Sequence, residues 1–195
     1  MDKLIPGIGD ALLVIDVQND FLSGGSLAVP RGDEVVPVLN RCLTLFAKLK
    51  LPVYASRDWH PANHCSFRAQ GGPWPPHCVA GSHGAAFAAS LALPPDAVVI
   101  SKDDTPELNT YSDFTESDFD RRLRATGVRR LFVGGLATDY CVLNTVKDAL
   151  ALGYTVVVLT DAIRPVEVKP GDGERAMDEM RRLGAQFATS AELMP

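Results

Sequence analysis

The sequence lacks a long hydrophobic run and any concentration of positive charge. Its 195 residues contain 19 Lys and Arg against 24 Asp and Glu, a formal net charge of −5 at pH 7. No basic run or basic helix face is present, so we expect no nucleic-acid partner. No apolar stretch approaches the ~20 residues that span a bilayer, and residues 1–9 lack the apolar core of a signal peptide. We therefore expect a soluble, cytoplasmic protein with no membrane partner.

Cysteine is also scarce, and its spacing is uninformative. Cys42, Cys65, Cys78 and Cys141 form no CxxC pair, which argues against a redox motif or a structural zinc knuckle. We expect reduced thiols in a cytoplasmic protein. Internal repeats are absent, and the 46% of hydrophobic residues suffice for one core. We therefore treat residues 1–195 as a single domain.

Apolar strands alternate with helical patterns along most of the chain. The predicted strands cover residues 11–16, 52–57, 97–101, 129–133, 155–160 and 186–188. The predicted helices cover residues 34–49 and 118–126, a segment from Thr138 or Asp139 to Gly153, and residues 173–183. This alternation predicts a three-layer α/β/α sandwich with a doubly wound, mostly parallel sheet. One long irregular segment, residues 58–96, contains all four histidines, and loops of this length are usually functional or disordered.

Cys141 stands at the predicted junction of a strand and a helix. Ligands of open parallel sheets bind beyond the carboxyl ends of the strands, where Asp16, Asp58, Lys102 and Asp161 are also expected. Free N–H groups and the dipole of a helix N-terminus lower a thiol pKa, which favours the reactive thiolate. Cys141 is therefore a candidate nucleophile. The alternative is a small cysteine buried in the core.

Asp16 and Lys102 are candidates to assist such a nucleophile. A thiol needs a base to take its proton and an acid to protonate the leaving group. Partial burial and a neighbouring thiolate would raise the pKa of Asp16 toward the range useful for this exchange, and Lys102 would balance the negative charges. The alternative is a structural ion pair that joins two strand ends.

The loop 58–96 carries a pattern of metal-binding residue types. Asp58 and His60 point to the same side of an extended segment, and His77 follows in the rigid sequence WPPHC. Carboxylate and imidazole suit zinc, manganese or iron(II). His64 is either a further ligand or a hydrogen-bonding neighbour of one. The alternative is a set of surface histidines, which fits His83 best.

Three aromatic residues lie close in sequence to these polar candidates. Phe21 follows Asp16, Trp74 precedes His77, and Tyr111 lies in the loop after Lys102. A flat apolar ligand could lie between such rings. Ordinary loop packing is the alternative.

Five segments together resemble the nicotinamidase/pyrazinamidase family of isochorismatase-like cysteine hydrolases. They are IDVQNDF (15–21), RDWHPANH (57–64), WPPHCV (74–79), SKDDTPELNTYS (101–112) and GGLATDYCV (134–142). The resemblance covers essentially the whole chain, with the segments in the family's order.

The resemblance implies a role for each candidate. Asp16, Lys102 and Cys141 would form a catalytic triad, and the N–H groups of Ala137 and Cys141 an oxyanion hole after a cis Leu136–Ala137 peptide. One divalent transition metal (zinc, iron or manganese) would be bound by Asp58, His60 and His77, and His64 is a further ligand in some members. A pyridine ring would lie between Phe21 and Trp74.

The implied reaction is hydrolysis of nicotinamide to nicotinate and ammonia through a thioester, with pyrazinamide as a second substrate. Two alternatives remain open from the residues alone. One is a related amidohydrolase of carbamoyl or ureido substrates, and the other is a non-catalytic module that binds a metal or ligand. The resemblance also leaves the choice between a monomer and a homo-oligomer open.

Overall fold

The computed structural model describes residues 4–115 and 117–193. Within these residues the strands are β1 (Asp10–Ile15), β2 (Val53–Asp58), β3 (Val98–Lys102), β4 (Arg130–Leu136), β5 (Thr155–Arg164) and β6 (Gln186–Ala188). The α-helices of the same described part are α1 (Val35–Leu49), α2 (Phe119–Ala125), α3 (Leu143–Ala151) and α4 (Asp172–Arg182). No helix in the described ranges combines the length and the apolar character needed to cross a membrane.

The six strands form one parallel sheet in the order β3-β2-β1-β4-β5-β6. From β1 the chain adds β2 and β3 on one side of the sheet. It then returns to add β4, β5 and β6 on the other side. The order therefore reverses between β1 and β4, and a crevice opens there at the carboxyl ends of the strands.

Helices cover both faces of the sheet, which confirms the predicted three-layer fold. The alternating side chains of β1 enter two separate hydrophobic cores. Leu12 and Val14 pack in the core that contains α1 residues, whereas Leu13 and Ile15 pack in the core that contains residues of α2, α3 and α4. Every residue of β1 is buried, as its continuous apolar sequence predicts.

The end of β4 differs from the prediction. The expected break at Gly134–Gly135 is wrong, because the strand continues to Leu136. Gly135 has φ +131°, and a Cβ there would lie 2.0 Å from the carbonyl oxygen of Ile15 in β1. A residue without a side chain lets the two backbones approach, so the glycines allow pairing here. The partner strand β5 is correspondingly longer than predicted and ends at Arg164, beyond a register shift.

The segment that carries Cys141 also begins differently from the prediction. Residues Thr138–Val142 form one π-helical turn before α3 begins, and no side chain caps this turn. The carboxylate of Asp139 instead accepts hydrogen bonds from the N–H groups of Val166 (2.9 Å) and Glu167 (3.0 Å). Asp139 therefore ties the Cys141 turn to the loop after β5.

The irregular loop 58–96 packs against the end of β1 through buried Gln18 and half-buried Asp20. The amide of Gln18 donates to the carbonyl groups of Asp58 (2.7 Å) and Ala85 (2.9 Å) near the two ends of the loop. Asp20 accepts a hydrogen bond from the N–H of Cys78 at 2.7 Å. These contacts bring the loop over the carboxyl edge of the sheet.

Candidate active site

The candidate nucleophile and base face each other across the crevice between β1 and β4. Asp16 directly follows β1 and is completely buried, and Cys141 lies in the π turn after β4. The Cys141 sulfur and a carboxylate oxygen of Asp16 lie within 4.8 Å of each other. The expectation that Asp161 lies beyond the end of its strand is wrong, because β5 continues to Arg164. The Asp161 carboxylate accepts hydrogen bonds from the N–H (2.8 Å) and Oγ (2.6 Å) of Ser190.

Lys102 lies at the centre of a buried cluster of acids. Its Nζ donates to Asp16 Oδ2 at 2.6 Å and lies 3.0 Å from Asp58 Oδ1, off the hydrogen-bonding direction. A third carboxyl group, that of Asp113, lies at 3.8 Å. Ser56 donates to the other oxygen of Asp16 at 2.8 Å. The ammonium therefore offsets charge that burial would otherwise make very costly.

Burial and neighbouring opposite charges shift the pKa values of Asp16 and Lys102 in opposite directions. Burial raises the pKa of Asp16 above its usual value, and Lys102 opposes the shift. Burial alone would lower the pKa of Lys102, but Asp16 and Asp58 raise it well above its usual value. Lys102 therefore remains charged, and Asp16 binds a proton more readily than a solvated carboxylate does.

The expected lowering of the Cys141 pKa is wrong. Burial raises the pKa of this thiol well above its usual value, and the neighbouring Asp16 and Asp58 carboxylates add to the effect against Lys102. The resting group is thus a neutral thiol, and the reactive thiolate forms only as a base removes the proton. The dipole of one short turn does not offset the loss of hydration.

Asp58, His60 and His77 meet at one point beside this cluster. One ligand atom from each residue lies within 4.8 Å of the other two, and all three residues are buried. His77 Nδ1 lies 2.8 Å from the carbonyl of Pro75, which leaves Nε2 available as a ligand. His60 Nδ1 has no hydrogen-bond partner within the described residues. The other ring nitrogen, His60 Nε2, lies 3.6 Å from Asp58 Oδ2, and a carboxylate with two imidazoles is a donor set that fits a zinc, iron or manganese ion.

His64 is grouped with His60 and Asp103 rather than with Asp58 and His77. Its ring stacks on His60 with centroids 4.2 Å apart. Both ring nitrogens are engaged, with Ser66 Oγ at 2.7 Å and the carbonyl of Leu108 at 2.5 Å. His64 therefore supports His60 in this structure. His83 is exposed, in agreement with its interpretation as a surface histidine.

The predicted aromatic residues and Cys141 line one small cavity. Trp74 donates its Nε1–H to Tyr111 Oη at 3.1 Å, and the carbonyl of Tyr111 lies 3.4 Å from Lys102 Nζ. Phe21 lies against His77, with ring centroids 5.7 Å apart. The cavity is therefore apolar at its aromatic walls and polar near Asp58 and His77, a combination that suits a flat heteroaromatic ring.

Ala137 and Cys141 both line this cavity. The Leu136–Ala137 peptide is cis, as the resemblance implied. The carbonyl of Ala137 accepts hydrogen bonds from the N–H groups of Tyr140 and Val142, both at 3.1 Å. The turn that presents Cys141 is therefore held by its own backbone.

Several residues of the site were missed from the sequence. Leu27, Tyr140 and Val166 complete the cavity wall, and Tyr140 packs edge-on against Trp74 at 5.1 Å. Tyr140 directly precedes the candidate nucleophile Cys141 in the sequence, and this position could have identified it as a site residue. Asp113 lies in a loop with several other acids, of which Asp103 is also buried, and no local pattern distinguishes these two from the others.

The comparisons with known proteins agree with this geometry. Residues 10–192 match the isochorismatase domain family. A nicotinamidase of Escherichia coli (strain K12) is 42% identical over 203 residues, which cover 93% of this chain and 95% of the relative. A pyrazinamidase of Pyrococcus horikoshii solved in complex with zinc has a TM-score of 0.89 and 45% identity, with 93% of this chain and 99% of that chain covered. PnC1 from L. infantum in complex with nicotinate has a TM-score of 0.90 and 36% identity, with 97% of each chain covered.

Full-length matches of this kind, together with the buried thiol, base and ammonium, establish the relationship. This chain belongs to the isochorismatase family and, within it, to the nicotinamidase/pyrazinamidase group.

Proposed function

We propose that this protein hydrolyses nicotinamide to nicotinate and ammonia, with Cys141 as the nucleophile. The observation that carries the proposal is the meeting of Cys141, Asp16 and Lys102 at the wall of an aromatic cavity, beside a group of metal-binding residue types. The names of the relatives support the same substrate class.

The first half of the reaction follows from the proton affinities of the site. Asp16 takes the Sγ proton of Cys141 while the sulfur attacks the carboxamide carbon. Lys102 stabilises the negative charge during this transfer, and the N–H groups of Ala137 and Cys141 would receive the oxyanion. Asp16 then gives the proton to the amide nitrogen. The C–N bond breaks, ammonia leaves and a thioester remains on Cys141.

The second half reverses the roles. Asp16 removes a proton from a water molecule, whose oxygen attacks the thioester carbon. The C–S bond breaks, and the proton held by Asp16 returns to the sulfur. An acid with an ordinary low pKa would be a poor carrier in both halves, and the burial of Asp16 reduces this mismatch.

The cavity orients the ring of the substrate. Phe21 and Trp74 bound its faces, and the Trp74–Tyr111 hydrogen bond fixes the indole. Asp58, His60 and His77 would hold one divalent metal, which supplies a Lewis-acid partner for the ring nitrogen. His64 keeps His60 in place through the stacked contact. Pyrazinamide has the same ring shape and a nitrogen in the same position, so we expect it to be a second substrate.

Ammonia release from nicotinamide tests the proposal directly. The wild-type protein should release one ammonia per nicotinate, and Cys141→Ala should lower the rate by more than ~10³-fold with the fold unchanged. Cys65→Ala, which removes a cysteine outside the site, is the matched control and should retain wild-type activity. Substantial ammonia release by Cys141→Ala would contradict the mechanism, and hydrolysis of carbamoyl compounds in preference to nicotinamide would favour the alternative amidohydrolase.

A further inference from the structure

Asp113 is a buried acid that the mechanism above does not use. It lies between β3 and α2 and has no exposed surface. Within the described part of the chain, neither carboxyl oxygen has a hydrogen-bond partner, and Oδ1 lies 3.8 Å from Lys102 Nζ. Its backbone is held firmly: the N–H pairs with Thr145 Oγ1 at 3.1 Å, and the carbonyl accepts from Ser117 Oγ at 2.6 Å. The backbone therefore keeps this carboxyl group against the ammonium.

The three carboxyl groups around Lys102 compete for one positive charge. Asp16 lies at 2.6 Å and Asp58 at 3.0 Å, both closer than Asp113 at 3.8 Å. Because Asp58 also belongs to the proposed site of a divalent metal, Asp16 and Asp113 are left to share the ammonium, and a low-dielectric interior opposes two buried carboxylates against one positive charge. The group that gains least from the ammonium retains its proton, and distance identifies that group as Asp113.

We propose that Asp113 is a positioning residue that acts as an uncharged acid, filling the remaining side of Lys102 so that the ammonium stays between Asp16 and Asp58. A neutral carboxyl group restricts the movement of Lys102 without drawing it away from Asp16. It also leaves the full positive charge available to the thiolate that forms on Cys141. This inference rests on the proposed amide hydrolysis, since Asp113 acts on that reaction only through Lys102.

The proposal has a consequence at alkaline pH. Burial raises the pKa of Asp113 to about 8, Lys102 opposes the shift, and the Asp16 and Asp58 charges add to it. Lys102 lies at the end of β3, Asp16 follows β1 and Asp58 lies at the end of β2. Asp113 has no hydrogen bond or ion pair with the proposed metal ligands among the described contacts. Above that pH its new charge competes for Lys102 and opposes the Cys141 thiolate, so turnover should fall.

Asparagine separates the charge of Asp113 from its shape. Asp113→Asn stays neutral at every pH, so its kcat at pH 7 should remain within about threefold of wild type. Its alkaline fall in kcat should disappear or move upward by one pH unit or more. Asp113→Ala leaves a gap beside Lys102 and should lower kcat roughly tenfold with little change in KM, because the misplaced ammonium affects chemistry more than binding. Asp96→Asn, which removes one exposed charge, is the control and should keep the wild-type profile.

Two results would overturn the inference. One is loss of activity in Asp113→Asn at all pH values, because an ionised Asp113 would then be required. The other is an alkaline limb that is unchanged in Asp113→Asn. If Asp113→Asn does not fold, the same comparison is made with Asp113→Ala, whose unchanged alkaline limb would equally overturn it.

Alkylation of Cys141 provides a measurement that does not depend on nicotinamide. Above pH 8, iodoacetamide should modify the Cys141 peptide more slowly in the wild type than in Asp113→Asn, and equal rates would contradict the inference. Absence of ammonia release by the wild-type protein would instead refute the proposed function. The two failures are therefore distinguishable.

Discussion

At the scale of single residues, the balance of charge around Lys102 determines which group carries the proton. The sequence predicted that Asp16, Asp58 and Lys102 lie close together, because the carboxyl ends of parallel strands share one edge of the sheet. The direction of the Cys141 pKa was wrong, since position at a helix start is visible in a sequence and complete loss of hydration is not. Asp113 was not predicted from the sequence because its burial is likewise not visible there.

Substitution of Asp16 by asparagine tests its role as the proton carrier. Asp16→Asn keeps the size of the side chain but cannot accept the Cys141 proton, so kcat should fall by roughly 10²–10⁴-fold with a small change in KM. Ser56→Ala removes only the hydrogen bond to Asp16 Oδ1 and should have a much weaker effect. Steady-state ammonia release measures both variants. Retention of more than about a tenth of the wild-type kcat by Asp16→Asn would assign the base to another group.

At the scale of elements, the strands and helices follow from sequence periodicity, but their ends do not. The apolar runs identified the six strands of the described residues. The alternation of these runs with helices predicted that the strands are parallel and that helices cover both faces of the sheet. The end of β4 was misplaced because Gly134 and Gly135 usually mark a turn. Here they allow β1 and β5 to approach β4 closely from either side, and only the neighbouring strands reveal this.

A pair of glycine substitutions separates close approach from backbone strain. Gly135→Ala would place a Cβ against the Ile15 backbone at a positive φ, whereas Gly153 also has positive φ (+91°) but no atom within 4 Å of the new Cβ. Gly153→Ala should therefore cost about 1–2 kcal/mol of unfolding free energy. Gly135→Ala should cost at least about 3 kcal/mol, because overpacking adds to the strain.

Urea denaturation measures both glycine variants. Gly135→Ala should also lower kcat, since Ile15 immediately precedes Asp16 and a displaced β1 moves the base. If the two substitutions lower the free energy of unfolding equally, the close contact between β1 and β4 adds no destabilisation beyond the backbone strain.

At the scale of the whole molecule, the loop 58–96 is joined to the sheet by polar contacts and by apolar residues that enter the hydrophobic core. Gln18 and Asp20 hold it from one side, and the Asp58–His60–His77 group connects the end of β2 to the middle of the loop. A metal bound by these three residues would act as a cross-link between the loop and the sheet. Ligands that bind only the folded state stabilise it in proportion to the logarithm of their excess over Kd.

Removal of the metal should therefore weaken the loop as well as the reaction. We expect about one transition-metal ion per chain in protein purified without chelator, and a fall in Tm of roughly 5–10 °C after chelation. Limited proteolysis should then cut within residues 61–76, between the two histidine ligands. His77→Ala should show a low Tm that the chelator hardly changes, whereas His83→Ala, an exposed histidine of the same loop, should respond as the wild type does. A wild-type protein whose Tm and cleavage pattern are indifferent to chelation would show that the hydrogen bonds and apolar contacts of the loop suffice to hold it. Any metal would then contribute to substrate orientation alone.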